Sequence, residues 1–159
     1  VMPAHGRYVG ASSIPFSEYR KKAGDRAGLN WRIPVLSGRR AVRHVTFDTN
    51  YWKSFAHARL AVPMGDPGCL SLFGSEASRH RLLADHLTSE YRVKTEGRGR
   101  THEWKLRVTG LDNHWLDCLV GSAVGASMEG AVLFGTDAKP RKRKRIRLSE
   151  LQREKWATR

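Results

Sequence analysis

The acidic residue with the most informative sequence context is Asp117. It lies in the segment DNHWLDCLVGSAVGA, residues 112–126. This segment predicts a helix that starts near Asp112 and Asn113, carries Asp117 within its first two turns and has an apolar opposite face. The helix dipole stabilises a negative charge at a helix N-terminus. From residue type and spacing alone, Asp117 is therefore interpreted as an electrostatic cap, and a carboxylate that performs chemistry is the alternative.

Basic residues are the second group with a chemical signature, and they concentrate at the two ends of the chain. The formal net charge is +14. Residues 1–40 hold eight Lys or Arg and two acids, residues 139–159 hold ten and two, and residues 41–138 hold eleven of each. Lys and Arg displace counterions from phosphates, so we expect contact with nucleic acid, and a tail that serves only solubility is the alternative. The residues expected to contact DNA are Arg98, Arg100, Lys139, Arg141, Lys142, Arg143, Lys144 and Arg145.

Other potential metal ligands show no converging pattern. Cys69 and Cys118 belong to no CxxC pair, so no zinc site is predicted. No apolar run approaches the roughly 18 residues of a membrane span, and residues 1–8 lack the apolar stretch of a secretion signal. We therefore expect an intracellular protein with reduced cysteines.

The elements that must position these residues begin after an irregular, Gly- and Pro-rich basic segment, residues 1–40. Residues 42–47, VRHVTF, alternate apolar and polar side chains and predict a strand. Asp48 is suited to cap the next helix, predicted over residues 51–60. In this helix Lys53 and His57 are predicted to lie off the buried face, which is formed by Trp52, Phe55, Ala56 and Leu60.

A second helix is predicted over residues 76–90, from the spacing of its leucines. Strands are predicted over residues 91–95 and 102–108, and the sequence GRGR between them is typical of a hairpin loop. The last helix is predicted over residues 113–128. The residues from 135 to 159 are predicted to form a basic, disordered tail.

Two glycines of the last helix, Gly121 and Gly125, stand four and eight residues after Asp117. A glycine costs a helix about 1 kcal/mol relative to alanine. Two of them on one face therefore predict that the helix packs closely against another backbone. Such packing would hold Asp117 in a rigid position.

The segment DNHWLDCLVG resembles the closing motif of the GpA-type, lambda-like family of phage terminase large subunits, in which an Asn begins a late helix and an Asp follows four residues later, before a Cys. Those positions are Asn113, Asp117 and Cys118 here. Further segments resemble the family in the same order. They are the Gly/Pro-rich entry around residues 3–7, HVTFDTNYWKSFAHARL at 44–60, GDPGCLSLFG at 65–74, HRLLADHLTSE at 80–90 and the strand with Trp104.

The resemblance implies an RNase H-like nuclease that cuts concatemeric double-stranded DNA, joined to an ATPase that packages the DNA into a capsid. Carboxylates in such nucleases hold Mg²⁺ or Mn²⁺, and Asp117 aligns with the last acid of that cluster. The implied partners are double-stranded DNA, the terminase small subunit and the capsid portal, and no membrane is expected as a partner. The implied location is the cytoplasm of a bacterial host. The ATP-binding loop GxxxxGK[ST] is absent from the chain, so ATP is expected to bind only in a missing N-terminal part.

The resemblance also implies that the family's earlier nuclease acids lie upstream of residue 1. The chain is therefore expected to be an α/β, incomplete RNase H-like nuclease lobe, with a hairpin before the last helix and a basic tail. Residues 41–134 correspond to the C-terminal part of the nuclease domain. Asp48, at the end of a predicted strand, is a tentative second metal ligand, and its alternative role is helix capping. A non-catalytic module that binds DNA or docks on the capsid portal is the alternative function.

Overall fold

Four short strands form a mixed sheet whose spatial order is β1-β4-β3-β2. The strands are β1 (Ala4–Arg7), β2 (Arg26–Gly28), β3 (Trp31–Ile33) and β4 (Val45–Asp48). β1 runs parallel to β4, and the β2–β3 and β3–β4 pairs are antiparallel. This computed structural model describes residues 2–10, 13–36, 42–97, 100–108 and 110–136.

Three helices and a hairpin follow the sheet. They are α1 (Thr49–Leu60), α2 (Arg81–Thr88), the antiparallel strands β5 (Glu90–Gly97) and β6 (Arg100–Leu106), and α3 (His114–Met128). A 3₁₀ turn, Ala77–His80, leads into α2. In the described part of the chain, no helix is both long enough and apolar enough to cross a membrane.

One face of the sheet packs against the helices and forms the core. Successive side chains of a strand point to opposite faces, so Trp31 and Ile33 of β3 are buried and Arg32 between them faces the other side. The buried residues of the sheet and helices form one cluster: Trp31, Ile33, Val45, Phe47, Trp52, Ala56, Leu87, Leu116, Val120 and Val124. The apolar face predicted for α3 is thus confirmed, because Leu116, Val120 and Val124 are buried in this cluster.

The mixed α/β class and the hairpin before the last helix are confirmed. The RNase H-like topology stays a prediction. Residues 1–40 were predicted to be irregular. This prediction was wrong, because the strands β1, β2 and β3 lie within this segment. These strands have three or four residues each, too few for a clear alternating pattern. The second helix is shorter than predicted, since residues 77–80 form a 3₁₀ turn and α2 ends at Thr88.

Part of the predicted DNA-contacting set lies outside the described residues. This applies to Arg98 at the hairpin loop and to Lys139, Arg141, Lys142, Arg143, Lys144 and Arg145 of the tail. Arg100 is the first residue of β6, and only its backbone is described. Contact of these residues with DNA stays a prediction.

Close packing at the two glycines of α3 was a wrong prediction. A Cβ added at Gly121 or at Gly125 would meet no atom within 4 Å outside the local helix. The space beside both glycines is open, so neither residue is required by contact with a neighbouring described backbone. At Gly28, by contrast, a Cβ would lie 2.4 Å from the Trp31 ring.

We expect Gly121→Ala and Gly125→Ala each to stabilise the protein by about 0.5–1 kcal/mol, because alanine lowers the entropy cost of the helix and meets no obstacle. Urea unfolding followed by tryptophan fluorescence measures the change. Gly28→Ala is the matched control and should destabilise, since its methyl group collides with the Trp31 indole. Destabilisation by the α3 substitutions would instead support a backbone packed against this face.

Candidate functional site

Asp117 lies in the first turn of α3, at an exposed position. Its N–H donates a hydrogen bond to the carbonyl oxygen of Asn113, the N-cap residue, over 3.0 Å. Its side chain is 55% exposed. The predicted location at the start of the last helix is confirmed. The carboxylate is accessible to solvent and to a ligand.

Lys53 of α1 connects Asp117 to a buried acid. The Lys53 Nζ lies 2.5 Å from Glu90 Oε1 and 3.5 Å from Asp117 Oδ1. The Lys53 side chain is 11% exposed and that of Glu90 is 5% exposed. Predicting Lys53 off the buried face was wrong. A charged group is buried only when a partner offsets its lost hydration, and Glu90 supplies that partner.

Asn113 completes what we call the charged cluster: Lys53, Glu90, Asn113 and Asp117. The Asn113 side-chain amide donates to Glu90 Oε1 over 2.6 Å, so this oxygen accepts from both Asn113 and Lys53. Asn113 and Asp117 are four residues apart, which places both on one side of the first turn of α3. The cluster therefore joins α1, the first residue of β5 and the start of α3.

Sequence reasoning missed two members of the charged cluster, Lys53 and Glu90. A signal for Lys53 was present, because residues 53, 56, 57 and 60 have the spacing of one helical face. This spacing alone does not indicate burial of residue 53, because lysine is rarely buried. Glu90 gave no local signal, since its partners are 37 and 23 residues away in sequence.

Asp48 has the structural role that its sequence position predicted. It is fully buried at the end of β4, and its Oδ1 accepts a hydrogen bond from the Tyr51 N–H over 3.2 Å. Capping of α1 by Asp48 is confirmed. Its tentative role as a metal ligand stays a prediction.

The described residues do not by themselves fit a divalent cation. No group of three or more His, Cys, Asp or Glu side chains that could hold a metal ion occurs among them. In the charged cluster the Lys53 ammonium already contributes positive charge to both carboxylates. A metal site that includes Asp117 would thus need further ligands beyond this cluster.

Trp104 fixes the hairpin against α1, next to the charged cluster. Its backbone N–H donates to Asn50 Oδ1 over 3.0 Å, and its indole Nε1 donates to Ser54 Oγ over 2.8 Å. His57 stacks on the Trp104 ring, with centroids 4.2 Å apart. Burial lowers the pKa of His57, Glu90 opposes that shift by raising the pKa, and Lys53 lowers it further.

Comparisons of the chain with protein families, with curated proteins and with solved structures found no match. The resemblance to terminase large subunits therefore rests on the sequence motifs alone.

We expect Lys53→Met to destabilise the protein by about 3–5 kcal/mol, because it leaves the Glu90 carboxylate buried without its cation. Urea unfolding monitored by tryptophan fluorescence measures this loss. The double variant Lys53→Met/Glu90→Gln is the matched control, since neutral glutamine retains an acceptor for Asn113. It should recover most of the lost stability. Equal destabilisation by the single and double variants would contradict a role for charge burial.

Acidification should destabilise the protein through His57. The folded state disfavours the protonated ring of His57, whereas in the unfolded chain His57 takes up a proton at a pH of about 6.5. Stability is therefore full above that pH and falls as the pH decreases toward the lowered pKa of the folded state. Unfolding midpoints measured between pH 8 and pH 5 should decline less in His57→Gln than in the parent protein. Equal declines in the two proteins would contradict the assignment of the acid sensitivity to His57. The unfolding midpoints at pH 8 report separately any change in packing that the substitution causes.

Proposed function

We propose that this chain is part of a phage terminase large subunit and contributes Asp117 to a DNA-cutting site. The observation that carries the proposal is the geometry of the charged cluster, in which an exposed carboxylate is held by a largely buried lysine. Burying Lys53 and Glu90 costs free energy, and the pair places its ammonium group 3.5 Å from the exposed Asp117 carboxylate. The motif Asn113, Asp117 and Cys118 supports the same assignment.

The charged cluster brings the Asp117 carboxylate close to Lys53. Asn113 is the N-cap residue of α3 and its side chain binds Glu90, and Lys53 binds Glu90 and lies 3.5 Å from Asp117. Movement of Asp117 away from Lys53 would cost attraction between opposite charges. Positioned carboxylates are what a metal-dependent nuclease requires, because small errors in ligand geometry lower its rate.

Mg²⁺ or Mn²⁺ belongs to this proposal as the cofactor of the complete site. A divalent metal supplies an activated water and neutralises charge on the scissile phosphate. The remaining ligands would come from outside the charged cluster. The family resemblance adds ATP, double-stranded DNA, the terminase small subunit and the capsid portal to the proposal as ligands and partners. It also adds the cytoplasm of a bacterial host as the location.

A non-catalytic module that binds DNA or docks on a capsid portal is the second candidate function. The observation that favours it is the ion pair between Lys53 and Asp117, which can serve structure alone. The net charge of +14 supports binding to a polyanion under either candidate.

The two candidates differ in the effect of Asp117→Asn on plasmid cleavage with Mn²⁺. The chain by itself is expected to cut little or not at all, because the other ligands are not in its charged cluster. In a longer terminase that carries this segment, Asp117→Asn should lower the cleavage rate by roughly 100-fold or more, as loss of a metal ligand commonly does.

Asp112→Asn is the matched control, because Asp112 is a neighbouring exposed acid whose partner is His114 at 3.5 Å. It should leave cleavage unchanged. Equal cutting by Asp117→Asn and the parent protein would overturn the catalytic assignment and favour the non-catalytic module. Vigorous metal-dependent cutting by the chain alone would show that all ligands are within it.

A further inference from the structure

Three basic side chains lie together on one face of the hairpin formed by β5 and β6. We call them the hairpin triad: Arg92, Lys94 and His102. Lys94 stands directly opposite His102 in the antiparallel pairing, and Arg92 precedes Lys94 by two residues on β5. Residues that stand opposite each other, and residues two apart on one strand, share a face of a sheet. The three side chains are therefore neighbours, and those of Arg92 and Lys94 are exposed to a ligand.

The Arg92 guanidinium is in contact with the His102 ring. Its Nη2 lies 2.8 Å from His102 Nδ1 and 3.1 Å from His102 Nε2. A neutral imidazole has one nitrogen that accepts a hydrogen bond, so the guanidinium can donate to that nitrogen. A protonated imidazole carries N–H donors at both positions and has no acceptor. This hydrogen bond therefore requires a neutral His102, and a proton on the ring leaves Arg92 without its acceptor.

The positive charge of the hairpin triad is not offset within the described part of the chain. Arg92 and Lys94 form no ion pair with a residue that the structure describes, and neither does Glu96, which lies where the pairing register shifts. Glu103 points to the other face of the hairpin, because successive residues of a strand alternate between the faces. Basic groups placed opposite each other repel and destabilise a strand pair. An anion bound between them would relieve this repulsion.

The surroundings of His102 disfavour the protonated ring as long as no anion is bound. Its pKa is lowered, first by partial loss of hydration and then by the positive charges of Arg92 and Lys94. A bound anion would oppose the effect of those charges, because a negative charge nearby favours the protonated ring. It would also supply an acceptor for Arg92 when the ring no longer offers one. Since linkage is reciprocal, proton uptake by His102 and anion binding strengthen each other.

We propose that the hairpin triad binds a phosphate group, and that binding becomes tighter when His102 takes up a proton. A phosphate group offers at least three acceptor oxygens and carries about two negative charges, so it can accept from all three side chains at once. The planar Arg92 guanidinium can donate two parallel hydrogen bonds to such oxygens. A carboxylate has two oxygens and a single charge, so it matches three cationic groups less well. The site lies outside the charged cluster and goes beyond the proposed function, on which it does not rest.

Nuclear magnetic resonance of the His102 ring tests the site in the parent chain without any substitution. The probe is inorganic sulfate, which has the tetrahedral oxygens of phosphate and keeps a constant charge between pH 5 and pH 8. Sulfate should raise the pKa of His102 relative to sodium chloride at equal ionic strength, because the bound anion favours the protonated ring. The ring of His44, which precedes β4 in the other sheet, is the internal control and should titrate alike in both salts. Identical titration of His102 in the two salts would overturn the proposal.

Two lysine variants on opposite faces of the hairpin separate a site from general attraction by charge. Lys94→Gln should raise the Kd for sulfate, read from the backbone signals of β5, by roughly tenfold, because it removes a charged donor. Lys105→Gln is the matched control, since Lys105 pairs with Tyr91 on the other face, and it should leave the Kd nearly unchanged. Both lysines are exposed, so neither substitution removes a packed side chain. Equal weakening by the two variants would overturn the site.

The pH dependence of sulfate binding tests the role of His102. The affinity of the parent chain should increase as the pH falls from 8 to 5, because proton uptake by His102 adds a charge and a donor to the site. In His102→Gln the increase should be smaller, since glutamine takes up no proton in this range. An equal increase in the two proteins would contradict proton linkage through His102.

Competition distinguishes two sources of the phosphate group, a nucleic acid strand and a small phosphate compound. The competitors are a short single-stranded oligonucleotide, which carries phosphodiesters, and inorganic phosphate. Displacement of sulfate by the oligonucleotide at the lower concentration of phosphate groups would identify a nucleic acid backbone, and the reverse order would identify a small compound. Displacement by neither competitor would overturn the assignment of a phosphate group. None of these outcomes depends on Asp117, so the catalytic assignment stands or falls separately.

Discussion

The buried ion pair between Lys53 and Glu90 constrains how α1 and the hairpin are placed relative to each other. Two charges that have lost their hydration must stay together, so the side chains fix the distance between α1 and the first residue of β5. Asn113 adds the start of α3 to the same pair. Three elements distant in sequence are thus linked, and the start of α3 brings the exposed Asp117 carboxylate to 3.5 Å from Lys53.

The sheet separates two regions of different chemistry. Its apolar face, with Trp31 and Ile33, packs against the helices and forms the core. Arg32 lies between these two residues in sequence and points to the opposite side, where its guanidinium approaches Tyr19. The same short strand therefore carries core residues on one face and a basic residue on the other, because its side chains alternate between the faces.

Prediction from sequence succeeded where the pattern was local and long enough. The amphipathic stripe of α3 and the capping of α1 by Asp48 needed only neighbours within a few turns. β1, β2 and β3 were missed because strands of three or four residues give too short a pattern, and β1 and β3 pair with β4, which comes later in the chain. Gly121 and Gly125 were misinterpreted because a glycine spacing does not reveal what lies beside the helix.

By itself, the sequence determined the mixed α/β class, the hairpin before the last helix, the accumulation of basic residues at both ends and the candidacy of Asp117. The first three follow from composition and from spacings of two to four residues, which act locally, and the candidacy of Asp117 follows from the family resemblance. Only the tertiary structure decided that Lys53 is buried, that Glu90 and Asn113 join it, and that Arg32 lines a cavity with Tyr19. The physical reason is that burial of a charge depends on a partner, and here the partners lie 23 to 37 residues apart along the chain.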